Sequence, residues 1–178
     1  LTNWNRKSNL ENTTAALFII SWLEIDRIRT ESGRNILYGT VTEEDCVAGI
    51  RKAKKELLEK YGSLEVPLKK VQRLIRGDVN LPMAGMPDVL AAMYSKEHTD
   101  GTYKAFAGES YIELVRFGKN GVEIESVNTF GASEKPTSKY YTSEMKLFAN
   151  QQLKKMTLNK KEVLKNAVRI YSPFGIKK

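Results

Sequence analysis

Residues 111–127 constrain the fold more than any other stretch of this chain. The runs YIELVRF and VEIESV are joined through Gly118-Lys119-Asn120-Gly121. Asn-Gly tolerates the positive φ angles of a tight hairpin turn, so the segment predicts two antiparallel strands closed across Asn120-Gly121. Alternation puts Tyr111, Glu113, Val115 and Phe117 on one face of the first run, with Ile112, Leu114 and Arg116 on the other. In the second run Val122, Ile124 and Ser126 alternate with Glu123, Glu125 and Val127. Both faces carry apolar residues. The hairpin is therefore expected to be covered on both sides, within a larger layered sheet.

The 178 residues are one domain's worth of chain, 41% hydrophobic and 28% charged, a composition suited to a packed core. A single cysteine, Cys46, excludes an internal disulfide framework. The charge is uneven: residues 1–134 sum to −1 and residues 135–178 to +9. A basic tail of this kind suits an anionic polymer or membrane surface. It equally suits lysines that solvate terminal helices and meet acidic partners. The second reading is preferred, because the lysines are not interleaved with arginines or base-stacking aromatics. A free-standing basic module holding an anionic polymer stays as the alternative function.

Along the chain, the polar start (residues 1–12) leads through Asn12 and Thr13 into AALFIISWLEIDRI, apolar almost all round, as in a helix buried within a larger body. Glu24 and Asp26 cut the run short of the roughly 20 apolar residues that a membrane span needs, and Glu11 with no small-residue cleavage site argues against a secretory signal. After a turn at Ser32-Gly33, residues 43–61 predict a helix with Thr42 as N-cap, Glu43, Glu44 and Asp45 in its first turn, and Gly62 as stop. Val47, Ile50, Leu57, Leu58 and Tyr61 form its apolar stripe. Residues 67–75 read as a short helix, RGDVNLPMAGMPD as a long irregular loop, and 89–94 as a brief helix before a polar turn at 96–101. His98 has no second His or Cys beside it, which excludes a zinc site at that turn. Past the hairpin, a helix over 143–152 capped by Thr142, a second capped by Asn159 with Glu162 in a capping box, and a closing strand at 169–173 complete the chain.

The segments flanking the hairpin carry a resemblance. Gly108, Ser110 and Tyr111 match a G-x-S-Y strand. Gly131, Ser133, Pro136, Ser138 and Tyr141, followed by Leu147, Phe148 and Ala149, match a G-x-S-x-x-P-x-S-x-H-Y-x-D-Q-x-x-L-F-A signature. Together they resemble the C-terminal part of the penicillin amidase family, nearest to the branch of aculeacin A and acyl-homoserine-lactone acylases. Leu1-x-x-Trp4 before an apolar helix, and Arg76, Gly77, Leu81, Pro82 and Gly85 in the loop, are similar to that branch as well. Tyr140 stands where the family has His, and Ser143 and Glu144 where it has Asp and Gln.

The resemblance implies an α+β chain: the C-terminal part of an αββα N-terminal-nucleophile hydrolase fold, a β-hairpin and closing strand with packing helices. Residues 1–178 would form one segment of an acylase β chain, mainly helical over 1–100 and holding the hairpin, helices and final strand over 101–178. The implied reaction is hydrolysis of the amide between an acyl group and an amine, as in a β-lactam, acyl-homoserine lactone or lipopeptide. It uses a serine whose own α-amino group is the base, supported by an oxyanion hole, and no cofactor. Residue 1 is leucine, so the chain is expected to be a piece of a longer precursor with the nucleophile elsewhere. No catalytic residue is carried over. The expected partners are the small α subunit, the N-terminal part of the β subunit and, through the parent enzyme, the acyl-amide substrate, with no nucleic acid and no membrane span. The expected location is periplasmic or extracellular. The residues alone offer no G-x-S-x-G elbow, since Gly108-Glu109-Ser110 lacks the second glycine, and Ser133 and Ser138 are expected to bond the backbone in turns.

Overall fold

The computed structural model describes residues 1, 3–34, 40–119, 121–167 and 169–170. Asn12 organises the start of the chain. Its Oδ1 accepts from the amides of Thr14 (3.0 Å) and Ala15 (2.9 Å) and from Trp4 Nε1 (3.1 Å). It thereby caps α1 (Ala15–Glu31) while the Trp4 ring lies 4.9 Å from Phe18. α2 (Glu43–Tyr61) carries a full capping box between Thr42 and Asp45 and ends on Gly62 at φ 68°. Arg34 clamps Asp45 at 2.7 and 2.8 Å. The two helices cross closely at Gly49, where a Cβ would lie 2.6 Å from the Ser21 carbonyl oxygen. Their first core gathers Ala16, Ile19, Ile20, Ala53, Leu57 and Val71. The α2 stripe read from the sequence is only partly buried: Leu57 is covered, whereas Val47, Ile50 and Leu58 remain exposed.

Three sequence expectations need correction between 67 and 97. The helix there is one turn, α3 (Leu68–Val71), and the chain continues as strand β1 (Gln72–Arg76). Gln72 and Leu74 are buried and their neighbours half-buried, the period of two proper to a strand. The supposed irregular loop begins with β2 (Val79–Pro82), paired antiparallel to β1 with Arg76 opposite Val79. Gly77, at φ 56°, makes that two-residue turn possible. Residues 89–94 are not helical. Met93 N donates to the Met86 carbonyl (3.0 Å), Gly85 passes under the Ala91 carbonyl at φ 95°, and Met93 opens β3 (Met93–Glu97). Among the described residues of the first hundred, the helices are thus 15–31, 43–61 and 68–71.

β4 (Tyr103–Gly108) lies antiparallel to β3 and parallel to β1, giving a four-stranded sheet in the order β2-β1-β4-β3. The second sheet is β5 (Tyr111–Gly118), β6 (Gly121–Asn128) and β7 (Lys154–Met156), all antiparallel in that order. Gly118 faces Gly121 across the hairpin turn; Asn120 lies outside the described residues. β7 was not expected from the sequence. The helix expected over 143–152 is α4 (Met145–Ala149), started by Glu144 rather than Thr142 and closed by Gln151 at φ 56°. α5 (Lys160–Asn166) is capped by Asn159 Oδ1, but Glu162 accepts from Thr157 Oγ1, not from the cap residue's own amide. Arg169 and Ile170 belong to no strand, and residues 171–173 of the expected closing strand lie outside the described residues. A second core of Leu74, Met83, Met93, Val127, Met145 and Phe148 joins the two sheets and α4. The architecture is α+β, with two small sheets and five helices among the described residues.

Candidate functional site

β1 and β4 pair at only two positions, Gln72 with Tyr103 and Arg73 with Lys104. Beyond them the strands part, and a cleft of about 650 Å³ opens between β1, β4 and the exit of β6. Leu74, Met93 and Ala105, all buried, give it an apolar floor. Four of the residues singled out in the sequence, Gly108, Ser110, Gly131 and Ser133, line it together. Pro136, Ser138 and Tyr141 lie beyond its lining, on the loop that follows.

The glycines are there because backbone passes too close for any side chain. A Cβ on Gly108, at φ 149°, would sit 2.3 Å from the Ala92 carbonyl oxygen, and one on Gly131 would sit 2.3 Å from that of Tyr140. The serines are occupied locally. Ser133 Oγ accepts from the Lys135 amide and Ser138 Oγ from the Tyr140 amide, both at 3.2 Å. The Tyr141 amide donates to the Ser138 carbonyl at 3.0 Å, which curls the loop back toward β1. Ser110 sits exposed at the rim, its carbonyl receiving the Thr129 amide at 3.3 Å.

Arg76 ties the two stretches together. Its guanidinium lies 4.0 Å from the Tyr141 ring centre and 4.9 Å from that of Phe130, and Nη2 donates to the Ser133 carbonyl at 3.4 Å. Asp78 stands on the exposed Gly77-Asp78 turn. Around the replaced positions, Tyr140 is exposed with Lys139 Nζ 5.0 Å above its ring, and Ser143 Oγ donates to the Tyr140 carbonyl. Glu144 is buried. It accepts from the Asn128 amide at 2.7 Å and from Lys154 Nζ. Burial pushes its carboxyl up, but the Lys154 ammonium and the Asn128 donors outweigh that and leave it below the usual glutamate range.

The family model for penicillin amidase matches residues 1–165. The chain belongs to the penicillin amidase family. No curated protein matches it. Within this penicillin amidase chain, no serine or cysteine side chain among the described residues is hydrogen-bonded to a histidine, lysine or carboxylate. Cys46 is exposed on α2, and His98 sits in the turn after β3, Nδ1 3.1 Å from Asp100. No group of three or more metal-ligating side chains occurs among the described residues, and no described helix is long and apolar enough to cross a membrane. The sequence reading left out Glu109, Asn128 and Thr129, which complete the cleft wall. Their adjacency to Gly108, Ser110 and Gly131 was the available signal.

Proposed function

We propose that this chain is the C-terminal structural portion of the large catalytic subunit of a penicillin-amidase-like acylase, nearest in kind to the aculeacin A and acyl-homoserine-lactone acylases. The parent enzyme hydrolyses the amide joining an acyl group to an amine in a β-lactam, acyl-homoserine lactone or lipopeptide. Its nucleophilic serine and oxyanion donors lie in the preceding part of the β subunit, which pairs with the small α subunit. The parent works outside the bacterial cytoplasm, in the periplasm or beyond. The present chain contributes sheet and helices that hold the catalytic part in shape.

The observation that carries this reading is the bare face of the second sheet. Directly opposed residues of an antiparallel pair share a face, so Tyr111, Val115, Phe117, Val122, Ile124 and Met156 lie together. All but Ile124 are exposed, Phe117 at 81%. On the opposite face Ile112 and Val127 meet the core, while Leu114 nearer the hairpin tip is exposed. An apolar sheet face left open in this way fits a surface made for covering.

The test is hydrolysis of penicillin G, a long-chain acyl-homoserine lactone and an acylated lipopeptide. The chain alone is expected to turn over none of them; co-expressed with the coding segment that precedes it, it is expected to yield an active enzyme on at least one. Turnover by the chain alone contradicts the proposal.

A further inference from the structure

Several of the half-buried charged side chains find opposite charges: Arg34 with Asp45, Lys60 with Glu56 and Glu97, Lys154 with Glu144. The cleft between β1 and β4 is different. Arg76, Glu109 and Glu134 all line it, and none makes an ion pair among the described residues. The Arg76 guanidinium sits over the Tyr141 and Phe130 rings, and among the described residues its one side-chain hydrogen bond goes to the Ser133 carbonyl. A guanidinium braced by two rings with donors to spare can take a carboxylate in two parallel hydrogen bonds. Glu109 is fixed as well. Its amide donates to the Ala92 carbonyl at 3.3 Å and its own carbonyl receives the Thr129 hydroxyl, so the backbone is pinned where the sheets meet while the side chain has no described partner. The floor between is apolar, and about 650 Å³ is within the range of small-molecule sites.

We propose that this cleft binds a small zwitterion with an apolar body: its carboxylate on Arg76, its ammonium on Glu109, its body over Leu74, Met93 and Phe130. Glu134 follows Ser133 on the Arg76 side of the cleft and adds negative potential that favours an amine-bearing ligand over a simple acid. The site does not depend on the acylase reading, since it involves no turnover.

The protein is titrated by calorimetry, or by amide shifts in NMR, with L-phenylalanine, with 3-phenylpropanoate, which lacks the amine, and with 2-phenylethylamine, which lacks the carboxylate. Phenylalanine is expected to saturate the site, and each of the others to bind about tenfold more weakly, for the loss of one charge-assisted contact. Glu109→Gln is expected to bring phenylalanine down to the affinity of 3-phenylpropanoate, and Arg76→Gln down to that of the amine. Because Arg76 also packs the signature loop, Glu109→Gln is the cleaner variant. Failure of phenylalanine to bind, equal binding of 3-phenylpropanoate, or an unchanged affinity in Glu109→Gln overturns the proposal.

Discussion

Glu144 shows how one replaced residue can be accommodated. A glutamine at this position could accept the Asn128 amide; the glutamate does so and also holds Lys154, so that the end of β6, the start of α4 and β7 meet on one side chain. Because its folded carboxyl lies below the ordinary 4.5, its contribution is complete above that value and is lost as the pH falls through the folded value. Glu144→Gln keeps the acceptor and drops the charge. It is expected to lower the unfolding free energy by about 1–2 kcal/mol at neutral pH, with the gap narrowing at an acid pH below the ordinary 4.5. Urea midpoints of both proteins at the two pH values check this; a gap independent of pH contradicts it.

Among the elements, β1 depends on a buried amide. Gln72 Nε2 reaches the carbonyls of Met83, Ala84 and Gly85 at 3.2, 3.3 and 3.0 Å, and its Oε1 accepts from Ser95 Oγ at 3.0 Å. Gln72→Leu fills similar space and strands those groups, so it is expected to cost about 1–3 kcal/mol, read as a lower urea midpoint. An unchanged midpoint would show that the loop over 83–85 finds other partners. This residue also marks the limit of sequence reading. The Thr42–Asp45 cap, the Gly62 stop and the β5–β6 hairpin were legible because their causes lie within a few residues. The β1–β2 hairpin had a local sign too, Gly77-Asp78, but the apolar spacing of Leu68, Val71 and Leu74 suited a helix equally well. Nothing nearby in sequence announces that Gln72 will be buried against residues 83–85. In the cleft, the signature glycines could be picked out from the pattern, but the reason for them, backbone passing 2.3 Å from an imagined Cβ, exists only once the chain is folded. Arg76 and Tyr141, 65 positions apart, could not be joined from the sequence.

At the scale of the whole molecule, two cores hold the helices and the sheets, and apolar side chains stand exposed in particular places. The hairpin was expected to be covered on both faces; one is open in this chain across Val115, Phe117, Val122 and Met156, and on the other Ile112 and Val127 meet the core while Leu114 is exposed. α5 buries none of its residues and leaves Val163 and Leu164 exposed. The lysines of the basic tail stand mostly in solvent, with Lys154 answered from within. On the reading proposed above, these features share one physical explanation, a covering body supplied by the rest of the enzyme, and the most direct measurement of it is thiol accessibility at position 117. With the exposed Cys46 replaced by serine and Phe117 by cysteine, labelling of the chain alone is expected to be fast. In the co-expressed parent enzyme it is expected to be about tenfold slower or more, as for a site reached only through local opening. Equal labelling rates in the two would contradict the account.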